Sequence, residues 1–447
     1  VAASRWLRPL AALIGVVLIV AAGAPAAAQP TGDDTVTTPV TTPDTSACPH
    51  RSTPPPPVDT SEVPRPGRST PDPVPVPDEP VGGGRLDECG VIVPDGAAAL
   101  PDGLTASAWV LADVTDGVVL AAKDPHGRYR PASTIKTLLA AVALQRLDPA
   151  RVITATAADA VVEGSAAGIG AGGTYTNYQL LQGLLMASGN DAAHAIAAQL
   201  GGEDRAAEMM TSVARDFGAR DTRVARPSGL DGPGMSTSAY DMALILTYGL
   251  TNPTFRELIS TPQAEFPGYP ADGAVPGDVD RPGFTLGNDN QLLHNYPGAL
   301  GGKTGFTDDA RHTFVGAAER DGRTLVVTVM AAEVGGLAPW QQAAALLDWG
   351  FAGDPADAVG TIATVADLAE NPTAAATSTA TTTEAPPLRP TEVTDSDGST
   401  GTTAPGTATD AAASGDAAES SMVAVAAIAL GAIIMLIAAG IRAARRR

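Results

Sequence analysis

Between residues 100 and 351 the spacing of apolar positions changes twice along the chain, and the changes sort the segment into strands at its two ends and helices between them. Short apolar runs at 109–114 and 118–122 flank Asp116-Gly117. That dipeptide tolerates the positive φ of a tight hairpin turn, so the two runs predict a β-hairpin. A second pair of runs, 313–318 and 324–331, flanks Asp321-Gly322 and predicts another. In the middle, apolar residues recur every three or four positions at 135–147, 179–187, 191–200, 204–217 and 237–249, which puts them on one face of a helix. A last such run, 341–350, closes the segment. The expected fold is therefore α+β, with one antiparallel sheet built from both ends of residues 100–351 and covered by a helical cluster.

Outside that segment the periodicity disappears. Residues 29–99 are rich in proline, as in Pro54 to Pro57 and the alternating prolines from Pro71 to Pro77, and favour extended polyproline II over a core. They are expected to form an extracellular linker. Cys48 and Cys89, the only cysteines, bracket it, either as a disulfide or as two free thiols. Residues 352–421 turn to Thr, Ala and Ser with few large apolar side chains, the composition of a disordered linker.

Two continuous apolar runs have a different meaning. Arg5 and Arg8, an apolar stretch at 10–20 and then Ala26 to Ala28 make the three parts of a secretory signal peptide, expected at 1–28. Residues 422–441 carry no charge and would rise roughly 30 Å as a helix, enough to cross a bilayer's hydrocarbon core. Arg442, Arg445, Arg446 and Arg447 follow at once and predict a cytoplasmic basic tail at 442–447, leaving the rest of the chain outside the cell.

Charge and composition remove several function classes. The 447 residues carry a formal net charge of −21, which repels nucleic acid. The histidines show no metal-ligand spacing, so neither a metal nor another cofactor is expected, and no G-x-S-x-G elbow marks a Ser/His/Asp hydrolase. Lysine is nearly absent. Among 28 basic residues only Lys123, Lys136 and Lys303 are lysines, and a lysine, unlike an arginine, can lose its proton and act as a base.

Two of those three lysines sit in patterns with chemical content. In Ser133-Thr-Ile-Lys136 the hydroxyl and the amine lie one helical turn apart on one face, so the amine can take the hydroxyl's proton. Ser188-Gly-Asn190 falls in the break between two helical runs, and Lys303-Thr-Gly305 precedes a predicted strand. A second hydroxyl can relay protons, an amide can hold a substrate amide, and a lysine beside a threonine can grip a carboxylate. Each triplet alone is common, but the order S-x-x-K, S-x-N, K-T-G within one domain-sized interval is specific.

With these motifs the chain resembles the low-molecular-mass penicillin-binding proteins, in particular the serine D-Ala-D-Ala carboxypeptidases. The likeness extends to the runs Arg130 to Lys136, Leu184 to Ala193, Pro227 to Asp231, Ser236 to Asp241 and Gly302 to Thr307. It implies a β-lactamase-like DD-peptidase fold over 100–351, peptidoglycan stem peptides as substrates and β-lactam antibiotics as covalent inhibitors. It also implies roles: Ser133 as acylated nucleophile, Lys136 as its base, Ser188 as proton relay, Asn190 as holder of the substrate backbone, and Lys303 with Thr304 as carboxylate binder. The oxyanion hole would be the backbone N–H groups of Ser133 and Phe306.

Two departures stand out, Arg311 where many relatives have Gly and the lack of a β-rich domain after the catalytic one. Three other readings share part of this pattern. A β-lactamase of this type needs a water-activating Glu in an E-x-x-L-N setting between the second and third motifs; Glu203, Glu208, Glu257 and Glu265 lack that context, and Glu163 precedes Ser188. A phosphate loop ending at Lys303-Thr304 would have Pro297 where its first glycine belongs. The third rival, a non-catalytic wall-binding protein, fits poorly with an intact set of Ser133, Lys136, Ser188 and Lys303.

Overall fold

The computed structural model describes residues 42–370 apart from residue 334. The expected hairpins set its frame. Strand β2 (Ala108–Asp113) and strand β3 (Val118–Lys123) form the first, preceded by the short β1 (Val91–Ile92). Its loop is longer than a two-residue turn, with only Gly117 at positive φ, because the Asp113 carboxylate accepts from the Thr115 and Asp116 amides and stabilises the wider loop. Far along the chain, β9 (Arg311–Arg320) and β10 (Arg323–Ala332) meet across Asp321 and Gly322, both at positive φ as a two-residue hairpin turn requires.

The sheet closes by pairing these distant hairpins. β10 lies antiparallel to β2 from Leu325 opposite Asp113 to Met330 opposite Ala108. With β8 (Ala299–Thr307) on the far side and β11 (Gly360–Thr361) added to β3, the order is β1-β3-β2-β10-β9-β8, all antiparallel. Residues alternate between faces along each central strand. Val110, Ala112, Val326 and Met330 face the helical cluster, while Trp109, Leu111, Leu325, Val327 and Val329 face α9 (Pro339–Ala352) with Leu346 and Leu347.

The helical cluster contains α1 (Lys136–Arg146), α3 (Asn177–Met186), α4 (Asn190–Gln199), α5 (Glu203–Asp216), α6 (Ala239–Gly249) and α7 (Pro253–Ser260). α1 and α6 pack in its centre with nearly every residue buried, whereas α5 buries only one stripe. Local signals set the ends. Thr176 and Gln179 form a reciprocal cap on α3, and Asn252 with Pro253 starts α7. Smaller pieces complete the walls: α2 (Ala157–Ala160), the pair β4 (Val152–Thr154) and β5 (Thr174–Thr176), the pair β6 (Gln263–Phe266) and β7 (Phe284–Gly287), and α8 (Gln291–Asn295).

The proline-rich segment is not a free linker where it is described. Residues 42–99 wrap the catalytic fold as a strap closed by a Cys48–Cys89 disulfide, with Leu86 and Ile92 buried and β1 paired to β3. The physical reason lies in polyproline geometry, which makes no internal hydrogen bonds and leaves its carbonyls free. Basic side chains of the domain use them. Lys123 Nζ donates to Pro43 O at 2.7 Å, Arg223 to Asp72 O at 2.6 Å and Arg128 to Pro75 O at 3.4 Å, and the Arg128 amide donates to His50 O at 2.7 Å. His126 clamps the return leg, with Nδ1 2.6 Å from Asp221 and Nε2 2.9 Å from Val81 O. Burial opposes charge on that ring, but the Asp221 carboxylate prevails and raises its pKa. The His126, Asp221 and Asp241 ligand atoms lie close enough to suggest a metal site, yet those contacts and an Arg128–Asp221 ion pair already engage the ring and Asp221.

The far boundary moves as well. Beyond the expected end at 351, β11 joins the sheet and α10 (Val365–Glu370) buries Leu368. The expected signal peptide, most of the Thr-rich linker, the apolar run at 422–441 and the basic tail lie outside the described residues. No helix among the described residues is long and apolar enough to cross a membrane.

A strap held this way contributes to stability, and its disulfide closes a loop spanning a sequence separation of 41. The double substitution Cys48→Ser, Cys89→Ser is expected to lower unfolding free energy by about 4 kcal/mol on the chain-entropy estimate, read as a lower denaturant midpoint. A midpoint that does not move would mean that the strap is only a linker.

Candidate active site

Ser133 lies in a single 3-10 turn, Ala132–Ile135, that leads straight into α1, and Lys136 is the first residue of that helix. The three-residue offset brings the two side chains together, with Lys136 Nζ 2.7 Å from Ser133 Oγ. Two more oxygens meet the amine: Asn190 Oδ1 at 2.7 Å and the Ser228 carbonyl at 2.5 Å. Lys136 is fully buried. With its two N–H groups donated to Asn190 and Ser228, a neutral amine has its lone pair left for the Ser133 hydroxyl.

The carbonyl of Ser228 reaches this position because Gly229 can pass very close to the nucleophile's turn. At φ +86° a Cβ on residue 229 would lie 2.0 Å from Ala132 O, so no other residue fits. Backbone strain gathers here: Ala132 and Ser188 both hold positive φ, and Ser188 is buried. Asn190 opens α4, and its Nδ2 donates to Glu163 O at 2.7 Å while its own amide donates to Ser165 O.

The third motif forms the opposite wall. Lys303 is fully buried on β8, with Nζ 3.0 Å from Thr304 O, 3.1 Å from Thr304 Oγ1 and 3.5 Å from Asp289 Oδ2. Gly305 lets this strand run beside the nucleophile, since a Cβ there would lie 2.3 Å from Thr313 Oγ1 and 3.0 Å from the Ser133 nitrogen. Thr313 in turn donates to Pro131 O at 2.8 Å and ties β9 to the same turn. Phe306 follows, half exposed, its ring tilted against His312.

Hydrogen bonds thus join Ser133, Lys136 and Asn190, β8 carries Lys303, Thr304 and Phe306 past the Ser133 nitrogen, and Ser188 lies buried two residues before Asn190. Burial pushes the Lys136 amine well below the ordinary lysine range and the nearby Lys303 charge lowers it further, against weaker opposition from Asp289 and Asp191. Burial lowers Lys303 too, while Asp289 works to keep it charged. The pair can therefore divide into a base and a cation, with a hydroxyl activated beside the first and an anion site beside the second.

Several supporting groups were not legible as site residues. The Ser228 carbonyl has no sequence signal beyond the small residues of its Pro-Ser-Gly run, and Asp289 has none. Asp191 accepts from the Ala167, Gly168 and Ile169 amides and so shapes the loop that carries Glu163; its place right after S-x-N at a helix start was the available hint. Glu163 enters the site only by its carbonyl, its side chain being exposed. The strap also contributes. Glu62 pairs at 2.5 Å with buried Arg130, three residues before Ser133, and Asp309 beyond β8 accepts from the Val58 amide and from Ser61.

Arg311 now has an explanation. Its φ is +57°, a conformation that favours glycine, and its guanidinium forms a two-pronged ion pair with Glu333 at 2.8 and 2.9 Å.

Comparison with known proteins agrees with this geometry. The family model described as D-alanyl-D-alanine carboxypeptidase, Peptidase S11, matches residues 95–334. The chain is 44% identical over 275 residues to the D-alanyl-D-alanine carboxypeptidase DacB2 of Mycobacterium tuberculosis, an overlap covering 61% of this chain and 90% of the relative. It is 30% identical over 269 residues to the D-alanyl-D-alanine carboxypeptidase DacD of Salmonella typhimurium, covering 57% of this chain and 64% of the relative. Among solved structures, the D-alanyl-D-alanine carboxypeptidase of M. tuberculosis H37Rv superposes with a TM-score of 0.56 at 44% identity, covering 61% of this chain and all of that one. The Streptomyces K15 DD-transpeptidase does so with a TM-score of 0.52 at 26% identity, covering 57% of this chain and all of that one. The motif order, the cleft built from them and the family match over residues 95–334 together place this chain in the D-alanyl-D-alanine carboxypeptidase family, Peptidase S11.

Proposed function

We propose that this serine D-Ala-D-Ala carboxypeptidase removes the terminal D-alanine of peptidoglycan stem peptides through an acyl-enzyme on Ser133. Lys136, as the free amine, takes the Ser133 proton as Oγ attacks the carbonyl carbon of the penultimate D-alanine. The N–H groups of Ser133 and Phe306 receive the oxyanion. Ser188 passes a proton to the leaving amine, and water then hydrolyses the ester. Asn190 anchors Lys136 by its oxygen and presents its amide to the substrate backbone, and Lys303 with Thr304 seats the terminal carboxylate. The observation that carries this reading is a fully buried lysine amine 2.7 Å from a serine hydroxyl. β-Lactam antibiotics would acylate the same oxygen. Glu163 offers only a carbonyl to the site, which supports slow release of that adduct rather than β-lactamase turnover.

The same reading places the enzyme outside the cell. Residues 1–28 are an export signal, and residues 422–441 with the following arginines anchor the C-terminal end in the cytoplasmic membrane, holding the catalytic fold against the wall.

Acylation by one penicillin separates the roles. Ser133→Ala is expected to abolish labelling, and the adduct in the unaltered enzyme should map by mass spectrometry to the peptide containing Ser133. Lys136→Arg should be nearly as damaging as Lys136→Ala, because a guanidinium does not lose its proton near neutral pH. Lys303→Arg should keep more activity than Lys303→Ala. Since Lys136 works as the free base and its pKa is depressed, acylation should fall as pH drops through that lowered value. Near-normal acylation by Lys136→Arg would sink the general-base role.

Deleting residues 422–447 should release active enzyme from the membrane fraction into the medium. Truncated enzyme that still sediments with membranes would refute the single C-terminal anchor.

A further inference from the structure

The two donors at the end of the cleft already hold a carboxylate. Thr304 Oγ1 donates to Asp289 Oδ2 at 3.1 Å, and the same oxygen lies 3.5 Å from Lys303 Nζ. The backbone beneath it is fixed from several sides. On one flank the Asn288 amide donates to Pro262 O at 2.9 Å, its side-chain Nδ2 donates to Thr261 O at 3.0 Å, and its Oδ1 accepts from the Asn290 amide at 3.0 Å. The Asp289 amide donates to Met186 O at 2.9 Å, two residues before Ser188. The side chain itself is 39% exposed while Lys303 is fully buried, so the carboxylate can turn into water and the ammonium cannot.

A buried ammonium without a counter-charge is costly, which gives Asp289 a purpose in the free enzyme. Once a ligand brings its own carboxylate to Lys303 and Thr304, the seat holds two anions for one cation and one hydroxyl. Like charges at such separation repel, and the exposed one leaves at least cost.

We propose that Asp289 is a specificity-determining residue, an internal stand-in that occupies the Lys303–Thr304 seat and is displaced by the ligand's terminal carboxylate. The inference rests on the assignment of that seat under the proposed function. It predicts a particular asymmetry. Removing the stand-in strengthens binding of ligands that carry a carboxylate relative to otherwise identical ligands that lack one, because only the former compete with Asp289 for the seat.

The test uses the full chain with a D-Ala-D-Ala peptide and the same peptide ending in a carboxamide, and compares the unaltered enzyme with Asp289→Asn and Asp289→Ala. For the carboxylate peptide KM is expected to fall about twofold to fivefold, the worth of a partly exposed charge contact. KM for the carboxamide should not move. A carboxylate KM that stays or rises in both variants overturns the proposal, as does an equal change for both peptides, the mark of a residue that merely ties the cleft walls together. If the unaltered enzyme itself fails to distinguish the two peptides, the seat assignment fails and this inference with it; if it distinguishes them and the variants do not sharpen the difference, only this inference fails.

Discussion

A lysine amine with no access to water must either lose its proton or find oxygens on every side, and Lys136 is placed where both are possible. Three oxygens surround it, supplied by three parts of the chain: the turn of Ser133, the first residue of α4 and the loop ending at Gly229. None of these can move independently. Gly229 presses against Ala132, Gly305 runs past the Ser133 nitrogen, and Thr313 bonds the carbonyl before the turn. Positive φ at Ala132 and Ser188 is tolerated because these contacts over-determine the backbone. The second lysine completes the arrangement, since its charge makes protonation of the first still less favourable.

The sheet supplies the rigidity that this geometry needs. β8 carries Lys303 and β9 carries Thr313, and both are fixed in register through β10 to β2, some 200 residues earlier in the chain. The antiparallel pairing of β2 with β10 therefore joins the two ends of the domain and also sets one wall of the cleft. The other wall belongs to the helical cluster, where α1 and α4 project Lys136 and Asn190 from well-buried helices.

The strap is the least conventional part of the molecule. Proline-rich sequence has little to bury and makes no hydrogen bonds with itself, which is why it reads as a linker. Both properties hold here. What the sequence pattern conceals is that free carbonyls and a disulfide can dock such a segment if the surface below it offers donors, and Lys123, Arg128 and Arg223 are those donors. By way of Glu62 and Arg130 the docked strap reaches the turn before Ser133.

Periodicity by itself determined the α+β class, both hairpins and helices α1, α3, α4, α5, α6 and α9 within a few residues, because binary pattern and turn chemistry are local properties, but it missed the short α7. The three motifs likewise named Ser133, Lys136, Ser188, Asn190, Lys303 and Thr304 as parts of one chemistry, since their residue types and order are written in the chain. Tertiary structure alone decided the rest. The Ser228 carbonyl has no side-chain identity to read, Asp289 lies in a sequence context that advertises nothing, and Arg311 looks like an ordinary surface residue until its φ and its Glu333 partner are seen together. Each of these gains its meaning from a neighbour distant in sequence, and distance in space is the one quantity that a local pattern does not contain.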